Sequence, residues 1–284
     1  MDNTAEGGFI NSKSFFVQIF IGISAGVILY LLNFALESLA KQFKILGHQK
    51  TILLKYTYPS DGDSITIIQN PNVASSNSIY VSSNERTGPE FSYSFHLNVA
   101  QNTFTGEADV LKHIFHKGYP SQYPLLGPGV YMNAGSNTLR IYMNSFKTWN
   151  NYVEVDNFPI SKWVHVVMTC SSTEMNVFIN GNLKKKFQFN GFQPYQNYQD
   201  ISVFSQYNVT NVQEPQVPSL NGTFFRVKGH INGMISRLNY FNYCLSYTEI
   251  QSLLNEGPSS TIVQKSSSQM TQPYLVDSWW TAPY

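Results

Sequence analysis

The sequence predicts an all-β domain, a sandwich or a barrel, carried behind one apolar N-terminal helix. Three observations lead there. Short runs of Val, Ile, Tyr and Phe alternate with turn residues from Thr51 to Gly257. The stretch Phe15–Leu36 reads FFVQIFIGISAGVILYLLNFAL and holds no charge. The composition has 20 Phe, 18 Tyr and 27 Asn but only 12% charged residues. Aromatic residues favour strands and Asn favours turns, so this balance suits sheet. It is too aromatic for disorder.

The same arithmetic excludes function classes. The 284 residues carry a net charge of +1, from 18 basic and 17 acidic side chains. Nucleic-acid binding needs clustered Lys and Arg against phosphate, so it is not the expected job. Two cysteines are too few for a disulfide-built scaffold or a cysteine-rich zinc module.

Residues 1–14 form a short polar leader to the apolar span at 15–36. A helix of that length crosses a hydrocarbon core of ~30 Å at ~1.5 Å per residue. A cleaved signal peptide has a shorter apolar region and a small-x-small cleavage site. The span is therefore expected to be a retained single-pass membrane helix. Gly22 and Gly26 form a GxxxG pair that would let two such helices approach closely. Lys41, Lys44, Lys50 and Lys55 follow the span, which places the larger part on the cytosolic side by the positive-inside rule. Two glycosylation acceptors, Asn208 and Asn221, point the other way.

Residues 37–50 continue as an amphipathic helical linker that Gly47 ends. The β region spans 51–257. Trp163–Cys170 reads as a strand with Trp163 a core anchor, and Met175–Ile179 as its hairpin partner. Asn180-Gly181 is a strong hairpin signal, because both central residues take positive φ, and Leu183–Phe189 returns as a third strand. A second hairpin runs through Val130–Met132 and Leu139–Met143. Ser246 with Glu249 three residues on is a capping box for a closing helix. Residues 258–284 are a Ser/Gln-rich tail ending in Trp279, Trp280 and Tyr284, aromatic anchors for the domain itself or for a partner.

Three segments, in order, resemble the laminin-G-like modules of the concanavalin A-like lectin/glucanase group. They are Phe91–Asn98 with Ile114–Gly118, Trp163–Thr169 with Val177–Gly181, and Gly233–Tyr243 with Leu245, Ser246, Glu249 and Ile250. The resemblance implies two curved antiparallel sheets in a jelly-roll sandwich. It also implies three site expectations.

The first concerns catalysis. A retaining glycosidase needs two carboxyl groups ~5–5.5 Å apart. The family's glucanase pattern is met by Glu154 and Asp156, but Pro159 stands where its acid/base residue belongs, so no catalytic residue is expected. The second concerns calcium, often bound at the rim of such modules. Glu107 and Asp109 are two carboxylates in a suitable loop, against ~6–8 oxygens required, so an ordinary polar loop is the stronger reading. The third concerns metal or thiol chemistry. His113 and His116 sit three apart on a strand, which points them to opposite faces and makes a poor zinc pair. His165 reads as a packing residue, Lys184–Lys186 as a solvated strand end, and Cys170 and Cys244 as thiols in a reducing compartment.

The function expected is a non-catalytic, membrane-anchored binding or structural protein whose sandwich docks on protein or glycan partners. A minor capsid protein tying the shell of a large DNA virus to its internal membrane fits that description. The alternatives are a cell-surface lectin or adhesion module, and a glycoside-hydrolase-like enzyme.

Overall fold

A computed structural model describes residues 15–82, 88–107, 109–119, 124–210 and 225–263. The chain divides into two units, one running to His48 and one from Gln49 onward. The first is helix α1, Phe15–Leu46. Its Phe15–Leu39 part is long and apolar enough to cross a membrane. The helix runs unbroken into the predicted linker and ends before Gly47.

The second unit is built from strands. They are β1 (Lys50–Pro59), β2 (Ile65–Ile67), β3 (Phe91–Val99), β4 (Leu111–Tyr119), β5 (Leu125–Asn133), β6 (Leu139–Tyr142) and β7 (Tyr152–Val155). Then come β8 (Val164–Cys170), β9 (Glu174–Ile179), β10 (Asn182–Gln188), β11 (Ile201–Val203), β12 (Asn208–Thr210), β13 (Arg226–His230) and β14 (Gly233–Phe241), closed by helix α2 (Tyr247–Glu256). One sheet has the order β1-β14-β3-β8-β9-β10. The other runs β12-β13-β4-β5-β6-β7, with β11 paired to both β2 and β4. The strands thus form two mostly antiparallel sheets packed as a sandwich, with β13 beside β4 the parallel exception.

Alternation along each strand makes the core. In β3, Phe91, Tyr93, Phe95, Leu97 and Val99 point inward and are fully buried. They meet Phe115, Val130 and Met132 from the other sheet, with the Phe95 and Phe115 rings edge-on at 5.1 Å. Large aromatic surfaces removed from water in this layer contribute ~25 cal/mol per Å². The outer faces are covered too. On the second sheet, Tyr131, Tyr142 and Phe225 form an aromatic layer, with Trp149, Tyr152 and Tyr207 packed against it. On the first, Val167, Phe241, Leu245 and Ile250 form the seat of α2.

Local signals read from the sequence are present in the backbone. Asn180 and Gly181 have φ of 48° and 76° and join β9 to β10. Ser246 caps α2: its hydroxyl accepts from the Glu249 N–H, and the Glu249 carboxylate accepts from the Ser246 N–H at 2.8 Å. Replacing Ser246 with Ala removes the hydroxyl side of this exchange and leaves the backbone N–H to Glu249. It will lower stability by about 1 kcal/mol, read as a reduced denaturation midpoint with unchanged slope. Beyond α2 the chain lies along the free edge of β1, where Ile262 bridges Thr57 in parallel. The Thr57 hydroxyl there donates to the Ser259 carbonyl at 2.7 Å.

Two expectations need correction. Trp163 is only half-buried and precedes β8, so Val164, Val166 and Met168 supply the inward face of that strand. His113 and His116 share one face. The register shift between His113 and Phe115 inserts an extra residue into β4 and turns both rings to the outer side.

Candidate functional site

A shallow depression of about 200 Å³ opens where the end of β10 meets the loop after β6. Ser145, Lys147, Thr148 and Asn151 form one wall, and Phe187 to Asn190 with Phe192 form the other. Each wall is held from below. The Ser145 N–H donates to the Thr148 carbonyl at 2.9 Å, and the Asn151 amide reaches the Met143 and Thr148 carbonyls at 3.2 Å. Asn190 and Gly191 have φ of 46° and 86°, so a second Asn-Gly turn swings Phe192 over the depression. The Phe146 N–H donates to the Gln193 carbonyl at 3.1 Å and joins the walls.

The chemistry of this surface is aromatic and neutral-polar. Phe192 remains 43% exposed and Phe146 70% exposed. The Lys147 ammonium lies 4.8 Å from the Phe192 ring centroid, a cation–π contact. Hydroxyl and amide groups of Ser145, Thr148, Asn151 and Asn190 complete the lining, which contains no carboxylate. Such a surface can stack a ring face and exchange hydrogen bonds, but it lacks an acid to donate a proton. The sequence held the signal for one wall in Asn190-Gly191. The pairing of the walls joins segments more than 35 residues apart, which no local pattern reveals.

The carboxylates flagged for catalysis lie elsewhere, on the outward face of β7. Glu154 accepts from Arg140 through Nε at 2.8 Å and Nη2 at 2.5 Å. Asp156 accepts from the Thr138 hydroxyl at 3.2 Å and lies 3.8 Å from Lys185 Nζ. Glu107 accepts from Lys228 at 2.7 Å, and that bond holds its carboxyl below the usual range. Asp109 adopts φ of 57° in the same loop. Among the described residues no group of three or more His, Cys, Asp or Glu is placed to hold a metal ion.

Gly22 and Gly26 lie on α1 with open space beside them. Asn208 is exposed at the start of β12. Asn221, Trp279, Trp280 and Tyr284 fall outside the described residues. The Cys244 thiol donates to the Cys170 carbonyl at 3.2 Å. Lys186 pairs with Glu174 at 2.5 Å, so the Lys184–Lys186 run is partly neutralised.

Four histidines are buried, two on each outer sheet face. His96 and His165 stack at 4.7 Å between β3 and β8, and His165 Nε2 pairs with the Ser94 hydroxyl at 2.9 Å. His113 Nε2 lies 2.8 Å from His116 Nδ1 on β4. Lys117 is also buried, its ammonium donating to the Gln199 carbonyl at 2.5 Å. Burial pulls its pKa down to about 8. The sequence read His165 as a packing residue, which its burial matches; it did not give the burial of His113 and His116, because alternation on β4 is broken by its bulge.

No curated protein matches this chain. The receptor binding domain of botulinum neurotoxin D is similar at 14% identity, covering 74% of this chain and 48% of that one, with a TM-score of 0.47. The receptor binding domain of the C/D mosaic serotype gives a TM-score of 0.49 at 14% identity, covering 74% of this chain and 46% of that one. The serotype D ligand binding domain, solved in complex with N-acetylneuraminic acid, gives 0.46 at 14% identity with the same 74% and 46% coverage. This chain thus spans less than half the length of each of these domains. A family model matches residues 73–251, from the loop after β2 into α2, and the chain accordingly belongs to the concanavalin A-like lectin/glucanases superfamily.

Proposed function

We propose that this chain is a non-catalytic binding module that α1 holds at a bilayer, and that its ligand is a glycan seated in the depression beside Phe192. The observation that carries this reading is the lining itself. An exposed aromatic face, a cation and several amides and hydroxyls converge there, without a carboxylate, on a lectin-like sandwich. Few oriented polar groups around an apolar surface are the general form of a small-ligand site. The enzyme reading is weaker because Glu154 and Asp156 are engaged by Arg140, Thr138 and Lys185 outside that depression.

The test is a glycan panel titrated against the full chain in detergent. Binding is expected, with Phe192→Ala weakening it at least tenfold, equivalent to ~1.4 kcal/mol. Lys147→Ala should weaken acidic glycans more than neutral ones. Absence of binding across the panel would sink the reading. Turnover of any glycan would replace it with an enzyme.

A protein-docking role is the second reading. It is favoured by the exposed aromatics Tyr80, Phe146 and Tyr198, at 64%, 70% and 74% exposure, on a surface with little charge to oppose association. A shell-to-membrane tether in a virion is its specific form. Retention on membranes through salt washing, with release by detergent, is expected of it. Protease protection tells which side the sandwich occupies. A crosslinked α1 dimer that Gly22→Leu abolishes would establish pairing through Gly22 and Gly26.

A further inference from the structure

The open edge of β4 is divided. β11 pairs its C-terminal half, with Val203 opposite Phe115, and β13 lies beside its N-terminal half, with His230 opposite His113. At the junction the chain turns sharply. Phe204 has φ of 53°, a costly conformation for a bulky residue, and its N–H donates to the Ile114 carbonyl at 2.9 Å. The next N–H, of Ser205, has no strand to pair with. It donates instead to His113 Nδ1 at 2.9 Å.

That bond fixes the protons of both rings. His113 accepts at Nδ1, so its proton sits on Nε2 and points at His116 Nδ1, 2.8 Å away. His116 therefore carries its proton on Nε2 and is bonded to the Gly118 backbone. The chain Ser205 → His113 → His116 → Gly118 is complete with both rings neutral. It has no place for another proton. A second proton on His113 would face the Ser205 N–H, and one on His116 would face the His113 N–H.

Among the described residues the surroundings supply no counter-anion. The ionisable groups facing the pair are Tyr131 from β5, Tyr207 from the segment before β12, and His230 from β13. Burial pushes both tyrosine hydroxyls up, so they stay neutral. The same burial holds His113 well below its usual value and His116 at about 4.

We propose that the His113–His116 pair is an acid-sensitive latch, whose protonation frees the segment from Phe204 to Thr210, which β4 holds at Phe204 and Ser205 and which the short β12–β13 ladder, opening with it, holds from Tyr207 onward. Tyr207 and Val209 belong to that segment and pack on the outer aromatic layer of the second sheet. The Tyr131 and Tyr207 hydroxyls, 3.1 Å apart, would separate with it. Opening therefore uncovers Tyr131 and its aromatic neighbours. The sandwich beneath keeps its core, because Phe115 and Ile114 face the other way. The strain released at Phe204 favours the open form.

The test is hydrogen exchange of the full chain in detergent micelles, expressed as protection factors at pH 7, 6 and 5. In the open form both histidines regain ordinary values near 6.5, and each then multiplies opening about tenfold per pH unit below that. Peptides covering Phe204–Thr210 should lose at least tenfold in protection between pH 7 and 5. The β9–β10 hairpin, which holds no histidine, exchanges through global unfolding and should remain better protected than this segment at every pH. The His113→Gln/His116→Gln double variant can keep the hydrogen-bond chain without titrating, and should hold the segment closed at pH 5. Unchanged protection of Phe204–Thr210 in the parent protein, or protection of that segment equal to the hairpin's at pH 5, overturns the latch; neither result depends on the double variant folding.

Discussion

Lowering the pH from 7 to 5 will cost the folded sandwich several kcal/mol. The cause is four buried histidines held neutral. Burial takes His96 down to about 3 and His165 and His116 to about 4, with His113 well below the usual value. In the unfolded chain each titrates near 6.5. Above that pH both states are neutral and stability is at its full value. Below it the unfolded chain binds protons that the folded chain refuses, so stability falls continuously from pH 6.5 toward 4 and 3. Each group contributes ~1.4 kcal/mol per pH unit in that window. His96 and His165 together contribute about 4 kcal/mol at pH 5, and the His113–His116 pair adds less, because the opened segment takes up those protons while the sandwich stays folded. Denaturant unfolding of the detergent-solubilised protein at pH 7, 6 and 5 measures it. A midpoint that does not move would show that the rings are hydrated or paired with acids. His96→Gln/His165→Gln should remove most of the dependence, since it removes the two groups whose protons only the unfolded chain can bind.

Gly118→Ala will destabilise the protein by about 3–5 kcal/mol, at the severe end for a single substitution. Gly118 has φ of 119°, and a methyl group there would sit 1.8 Å from the Leu125 carbonyl oxygen. That oxygen is backbone of the paired strand β5 and cannot swing aside. The second register shift, where β5 carries the extra residue between Leu126 and Gly129, depends on this close approach, so the variant also disturbs the seat of His116. Gly106→Ala is the control. Its φ is 76° but nothing lies within 4 Å of the added methyl group, so only the backbone preference is lost, at about 1 kcal/mol. Equal losses in the two variants would mean that β4 and β5 separate easily at Gly118.

Low net charge takes on a meaning in this fold. Charge is spent in local pairs such as Arg140–Glu154, Lys186–Glu174 and Lys228–Glu107. Exposed aromatics around the Phe192 depression are left with Lys147 as their charged neighbour. A surface of that kind associates readily, as the proposed binding role requires.

Local order in this protein was legible in the sequence because short-range rules govern it. A charge-free run long enough to span lipid made α1. Period-two alternation in FSYSFHLNV made β3, with aromatics inward and Ser and His outward. Asn180-Gly181 made a hairpin, and Ser246 with Glu249 made a cap. The tertiary structure decided what alternation cannot foresee. A single inserted residue in β4 reversed the facing of His113 against His116, because side-chain direction flips with every residue added to a strand. Trp163 gave its core position to smaller neighbours for want of a place in the inward row of β8. The Phe192 depression and the Ser205–His113 bond join residues tens of positions apart, where only chain packing sets the distance. The elements follow from local propensity, and the chemistry follows from which of their faces the sandwich closed.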